Sequence, residues 1–95
     1  MPYIKDEYRE IYEKDIDNIV ENLLRVGLLL DKSQVGGHFN YVVSSIIKRY
    51  LDKKGKSYSR LQSFEGSLAC ISKEYYRRIV GPYEDEAIKK NGDIR

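Results

Sequence analysis

At 95 residues, with 41% hydrophobic and 34% charged side chains, the chain has the length of one domain and too much apolar content for a disordered segment. Its single cysteine, Cys70, excludes an internal disulfide, and its longest aliphatic cluster, around Leu28 to Leu30, falls well short of the ~20 residues that span a bilayer. With no secretory leader pattern at the start, the expectation is one domain over residues 1–95, in the cytoplasm and without a membrane partner.

The net charge of +2 is unevenly spread. Residues 1–31 hold four Lys/Arg against eight Asp/Glu, and residues 48–78 hold nine against three. An acidic first third and a basic middle can neutralise one another by packing side by side, or the basic segment can present a surface to a polyanion.

In the first segment Ile4, Tyr8, Ile11, Tyr12, Ile16, Ile19, Val20, Leu23 and Leu24 return to one side of a 3.6-residue helix, with Glu10, Glu13, Asp17 and Glu21 elsewhere. This predicts an amphipathic helix from about Lys5 to Val26, its dipole complemented by Asp6 and Glu7 and its end marked by Gly27. Leu28 to Leu30 then either prolong the helix or tuck under the core. Residues 31–37, ending in Gly36-Gly37, read as the main loop.

Phe39, Val42, Val43, Ile46, Ile47, Tyr50 and Leu51 trace a second stripe, placing a helix from about His38 to Lys54 with Gly55 as its stop. The β-branched residues leave a buried strand over 41–47 as the alternative, but Ser44-Ser45 and Lys48-Arg49 break the apolar run at helical intervals. Ser59 and Gln62 have the form of a capping box and predict the start of a third helix. Its stripe of Leu61, Phe64, Leu68, Ile71, Tyr75 and Ile79 is spaced by threes and fours, and Gly81-Pro82 is expected to close it. Pro82, followed by Glu84, Asp85 and Glu86 and then by Lys89 and Lys90, suits a short fourth helix that Gly92 ends. The fold class is therefore all-α: a small helical bundle of three main amphipathic helices plus a short C-terminal helix, sharing one core. So small a bundle, with a generous aliphatic supply in residues 19–30, is expected to complete its core by forming a homo-oligomer.

The supply of catalytic groups is thin. His38 is the only histidine, and Cys70, between Leu68-Ala69 and Ile71, reads as a partly buried thiol and not a nucleophile. One Cys and one His cannot build a structural zinc site, Glu84 to Glu86 are explained by helix-start electrostatics, and Gly36-Gly37 lacks the spacing of a phosphate-binding loop. The sequence thus predicts no enzyme, no metal and no cofactor. The alternative function rests on the basic middle, where Arg49, Lys53, Arg60, Lys73, Tyr76 and Arg77 combine cations with a stacking ring, as nucleic-acid or nucleotide binding requires. Tyr50 and Tyr75, on the apolar stripes, read as core.

Asn40-Tyr41-Val42, Arg49-Tyr50-Leu51, Ser57-Tyr58 with Leu61, then Gly66, Leu68, Cys70, Glu74, Tyr76-Arg77-Arg78, Pro82-Tyr83-Glu84-Asp85 and Asn91-Gly92-Asp93 resemble a small family of bacterial and phage proteins of unknown function. The most specific element is Tyr-Arg-Arg followed by Pro-Tyr-Glu-Asp, and the Met1-Pro2-Tyr3-Ile4 start fits as well. The resemblance implies an origin in a bacterium or phage and no mechanism. It draws attention to residues that a bundle core does not require. Asn40, Tyr41, Glu74, Arg78, Tyr83 and Asp85 form a candidate polar network, in which Arg77 or Arg78 would pair a carboxylate of the tail and clamp the fourth segment in place. The leading expectation is a non-enzymatic helical interaction module that self-associates or binds another protein.

Overall fold

In the computed structural model, which describes residues 4–29 and 34–94 and only the backbone of 27–29, the described chain is helical throughout apart from short connections. The helices are α1 (Asp6–Leu29), α2 (Val35–Lys54), α3 (Tyr58–Tyr75) and α4 (Gly81–Asn91), with a π-helical turn, Tyr76–Val80, joining the last two. The strand alternative over 41–47 is not adopted; the 3.6-residue recurrence of Phe39, Val42, Val43, Ile46 and Tyr50 prevails over the β-branched propensity. The all-α class holds.

Two units divide the chain between Lys56 and Ser57. In the first, α1 and α2 touch as a helical hairpin. Here α1 runs through Gly27 to Leu29, beyond the predicted stop, since a helix accepts an interior glycine at a cost of about 1 kcal/mol when apolar residues follow it. The side chains of Leu28 to Leu30, and loop positions 31–33, lie outside the described residues. Gly36 and Gly37 do not form the predicted turn. They lie in the first turn of α2, with no positive φ, so the helix opens three residues earlier than expected. Arg9 pairs with Asp6 at 3.1 Å in the first turns of α1, and Lys48 with Asp52 at 2.8 Å near the end of α2. The hydrogen bond from Lys48 holds the Asp52 carboxyl below the usual carboxylate range. Gly55 ends α2 as expected, at φ 93°, a left-handed backbone that glycine adopts without steric penalty, and its N–H donates to Leu51 O at 2.8 Å.

The second unit is one continuous helical element from Tyr58 to Asn91, interrupted only by the π turn. Its N-cap is Ser57, not Ser59. Ser57 is extended (φ −150°, ψ 157°), and its Oγ accepts from the Arg60 backbone N–H at 3.2 Å. Ser59 is already helical, and Gln62 donates to the Tyr58 hydroxyl at 3.0 Å in place of closing a capping box.

Nor does Gly81-Pro82 end the third helix. Proline has no N–H for the carbonyl of Arg78, and its ring crowds that carbonyl in a regular α-turn. The preceding turn widens, the Gly81 N–H bonds to Tyr76 O, five residues back, and the helix resumes with Pro82 in the first turn of α4. A side chain at Gly81 would meet Tyr76 O at 3.3 Å, so the wide turn closes tightly around a residue without Cβ. Gly92 ends α4, its N–H donating to Ile88 O at 2.8 Å.

Among the described residues only Leu51, 8% exposed, is buried. Within each unit, the described residues close no core around the stripes beyond this side chain. The stripes lie at the predicted positions with most of their members partly exposed, and Tyr50 and Tyr75, read as core, are about half exposed. The physical reason is local. Periodicity decides which residues share a face, whereas burial needs a second surface against that face.

Candidate interaction surfaces

In the hairpin, Ile19, Leu23 and Val26 of α1 are half-buried, as are Val42, Val43 and Ile47 of α2. Earlier in α1, Tyr8, Ile11, Tyr12 and Ile16 are exposed. On α2, Val35, Phe39, Ile46 and Tyr50 recur at spacings of four, seven and four and are exposed as well. Both helices of this unit thus carry large apolar side chains in water.

The second unit shows the narrower pattern. Leu61, Phe64, Leu68, Ile71 and Tyr75 alternate spacings of three and four, the 3.5-residue period of a coiled-coil seam. Phe64 is half-buried, and the others are 40–57% exposed. A single helical element cannot fold back on itself, so no part of its own unit can cover this seam.

The π turn carries the polar constellation of the second unit. Across it the Tyr76 hydroxyl donates to Glu84 Oε1 at 2.6 Å. Residues eight apart diverge by about 80° on a regular α-helix. The one residue that the wide turn absorbs makes them equivalent to positions seven apart, on one face about 10 Å along the axis, a span that a tyrosine and a glutamate bridge. The Glu84 carboxylate raises the Tyr76 hydroxyl above its ordinary value of about 10, first through this hydrogen bond and then through its charge. One turn earlier, Arg77 grips Glu74 through Nη2 at 2.8 Å and Nε at 3.4 Å.

These contacts locate the predicted site residues. In the polyanion set, Arg49 and Lys53 lie in the last turns of α2, while Arg60, Lys73, Tyr76 and Arg77 lie in the second unit. Arg60 and Lys73 stand about 20 Å apart along α3. Tyr76 and Arg77 are each turned to a carboxylate of their own unit. In the polar-network set, Asn40 accepts from Ser44 Oγ at 3.0 Å within α2, and Tyr41, on the same helix, is exposed. Glu74 holds Arg77, while Arg78 is in the π turn and Tyr83 and Asp85 are on α4, with Tyr83 77% exposed. The bond across to α4 is made by Tyr76 and Glu84. Glu84 had no assigned partner in the sequence because a spacing of eight is not a helical neighbour; Gly81-Pro82 inside a helical pattern was the available signal. Cys70, expected to be partly buried, is exposed, because α3 turns it away from the seam. No group of three or more His, Cys, Asp or Glu among the described residues is placed to hold a metal ion, and no described helix is long and apolar enough to cross a membrane.

A family model for a domain of unknown function, DUF6899, matches residues 1–94. The chain belongs to the DUF6899 family. Comparison with curated proteins and with solved structures found no match. In this DUF6899 domain Tyr76-Arg77-Arg78 lie in the π turn and Pro82-Tyr83-Glu84-Asp85 in the α4 helix that follows it.

That bond supplies a direct test by tyrosinate titration. Folding raises the Tyr76 hydroxyl, so the folded state holds this proton more tightly. The resulting stability is fully present below pH 10 and is lost as pH rises through the folded-state value. Tyr76 is expected to ionise late in the ultraviolet titration of the folded protein. Tyr76→Phe should delete that step and Glu84→Gln should return it to the ordinary range; a late step that survives both variants belongs to another tyrosine.

Proposed function

We propose that this DUF6899 domain is a non-catalytic helical interaction module of bacterial or phage origin that works in the cytoplasm by self-association, completing a helical bundle only when its apolar stripes are covered. The observation that carries the reading is the set of half-exposed stripes on α1, α2 and α3 beside Leu51, the one buried side chain among the described residues. Isolated helices are marginal in water, and most helical stability in proteins comes from packing an amphipathic face. Large apolar side chains this exposed gain stability when association withdraws them from water. The non-catalytic part rests on the sequence, which offers one histidine and one cysteine.

Sedimentation equilibrium of the full chain, with thermal unfolding at several protein concentrations, tests the reading. A dimer or larger species is expected, with a melting temperature that climbs as concentration rises, because binding of the folded state displaces the unfolding equilibrium by mass action. A monomer with a concentration-independent melting temperature overturns it. Nucleic-acid binding through Arg49, Lys53, Arg60 and Lys73 is the second reading, favoured by the exposed cations at the end of α2. Steeply salt-dependent anisotropy of labelled DNA or RNA would support it.

A further inference from the structure

Opposing backbone preferences meet between α3 and α4. A continuous helix favours the regular period, in which each N–H bonds four residues back. Pro82 works against it, because a regular turn would press its ring on the Arg78 carbonyl. The wide turn accommodates the proline but is itself a rare form, and it brings Tyr76 O to 3.3 Å from where a side chain on residue 81 would begin, so it closes without adjustment only around glycine. With the backbone terms opposed, a contact made in only one register decides between the two. That contact is the 2.6 Å bond from the Tyr76 hydroxyl to Glu84 Oε1. Closing the wide turn into a regular one rotates α4 by about 100° and takes Glu84 off the line of Tyr76. The carboxylate is not stranded by this. On a regular helix Glu84 stands seven residues beyond Arg77 on the same face, so the next side chain along its line is the cation that holds Glu74. Ile88, one turn further on, moves with Glu84 from the line of Tyr76 to that of Arg77.

We infer that residues 76–84 form a latched register switch: the Tyr76–Glu84 bond holds α4 in the wide-turn register, and its release lets α4 rotate into the regular one, re-aiming Glu84 and Ile88 relative to α3. Pro82 and the latch have separate parts in this. The proline makes the wide turn accessible, and the bond makes it the occupied one. Every participant lies in the second unit, so the device needs neither an uncovered face nor a second copy of the chain. Its output is the set of α4 side chains that continue each face of α3, changed by the making or breaking of one hydrogen bond.

The test is the distance between nitroxide labels in the full-length chain, measured by double electron–electron resonance on K73C/K89C in a C70S background. An excess of unlabelled chain ensures that only distances within one molecule are read. Positions 73 and 89 are about 60° apart around the axis in the wide-turn register and about 160° apart in the regular one, so release moves the labels about 4 Å farther apart. P82A, without the proline ring, is expected to show the longer distance alone and so marks the regular register. Y76F is expected to raise the ratio of the longer to the shorter population about tenfold, as loss of a hydrogen bond to a charged group does. E86A, which removes an α4 carboxylate about 200° around the axis from Glu84, is expected to leave that ratio unchanged. Should Y76F lose its helical circular dichroism, E84A decides in its place. An unchanged ratio in the deciding variant overturns the latch, and an equal rise in E86A overturns its assignment to the Tyr76–Glu84 bond. A P82A chain with the distance of the unmodified one overturns the second register.

Discussion

Leu51→Ala is expected to lower stability by about 2–5 kcal/mol, as deletion of a buried leucine does when its surroundings cannot collapse into the space. Leu51 is the one buried side chain among the described residues, in the last turn of α2, where its carbonyl also accepts the Gly55 N–H that ends the helix. Leu24→Ala is the comparison. Leu24 is a leucine of the same chemistry on α1 but 61% exposed, and truncating it removes little that folding had withdrawn from water, so the expected loss is within about 1 kcal/mol. Urea unfolding monitored by circular dichroism, at one fixed protein concentration so that association is held constant, gives both values. Equal losses for the two variants would show that Leu51 does not anchor the chain.

Pro82→Ala should move two properties in opposite directions. Alanine restores an N–H donor and removes the ring that crowds the Arg78 carbonyl, so the helix over residues 58–91 gains up to about 3 kcal/mol, the difference between proline and alanine in a helix interior. The gain comes from closing the wide turn into a regular one. Residues beyond it then rotate by about 100°, which carries Glu84 away from Tyr76. The expected results are a higher melting temperature for the helical signal and disappearance of the late tyrosine ionisation. An unchanged titration together with unchanged stability would mean that Pro82 does not hold the π turn open.

Both variants probe places where the sequence was differently legible. The helical elements follow from period and punctuation, and the stops at Gly55 and Gly92 could be read because left-handed backbone at a helix end is a local property of glycine. Ser57 and Ser59 illustrate the limit. Each can cap a helix, and the choice turned on which of them leaves the extended connection from Gly55, a matter of chain path that side-chain chemistry does not encode. Gly36-Gly37 and Gly81-Pro82 failed as breakers for a related reason. The first pair keeps helical dihedrals in an opening turn, and the second is accommodated by a wide turn in place of an end. Burial was the least legible property. The stripes were visible in the spacing of Leu61, Leu68 and Tyr75, yet those residues are about half exposed, since a stripe specifies the face and not the surface that covers it. At the candidate site Glu74 and Arg77 were identifiable as residues that a core does not need and Tyr76 as a ring for stacking, but the pairing of Tyr76 with Glu84 depended on a turn whose period the sequence does not display.

The wide turn also bears on how this chain can change over time. When a continuous helix gains one residue, everything downstream rotates by about 100° unless the excess is confined to a single turn. Tyr76–Val80 is such a turn, and its bonding across to Glu84 shows the downstream faces kept in line with those upstream. Within residues 58–91 it is therefore the position at which an insertion or deletion of one residue can be absorbed without re-aiming the side chains beyond it.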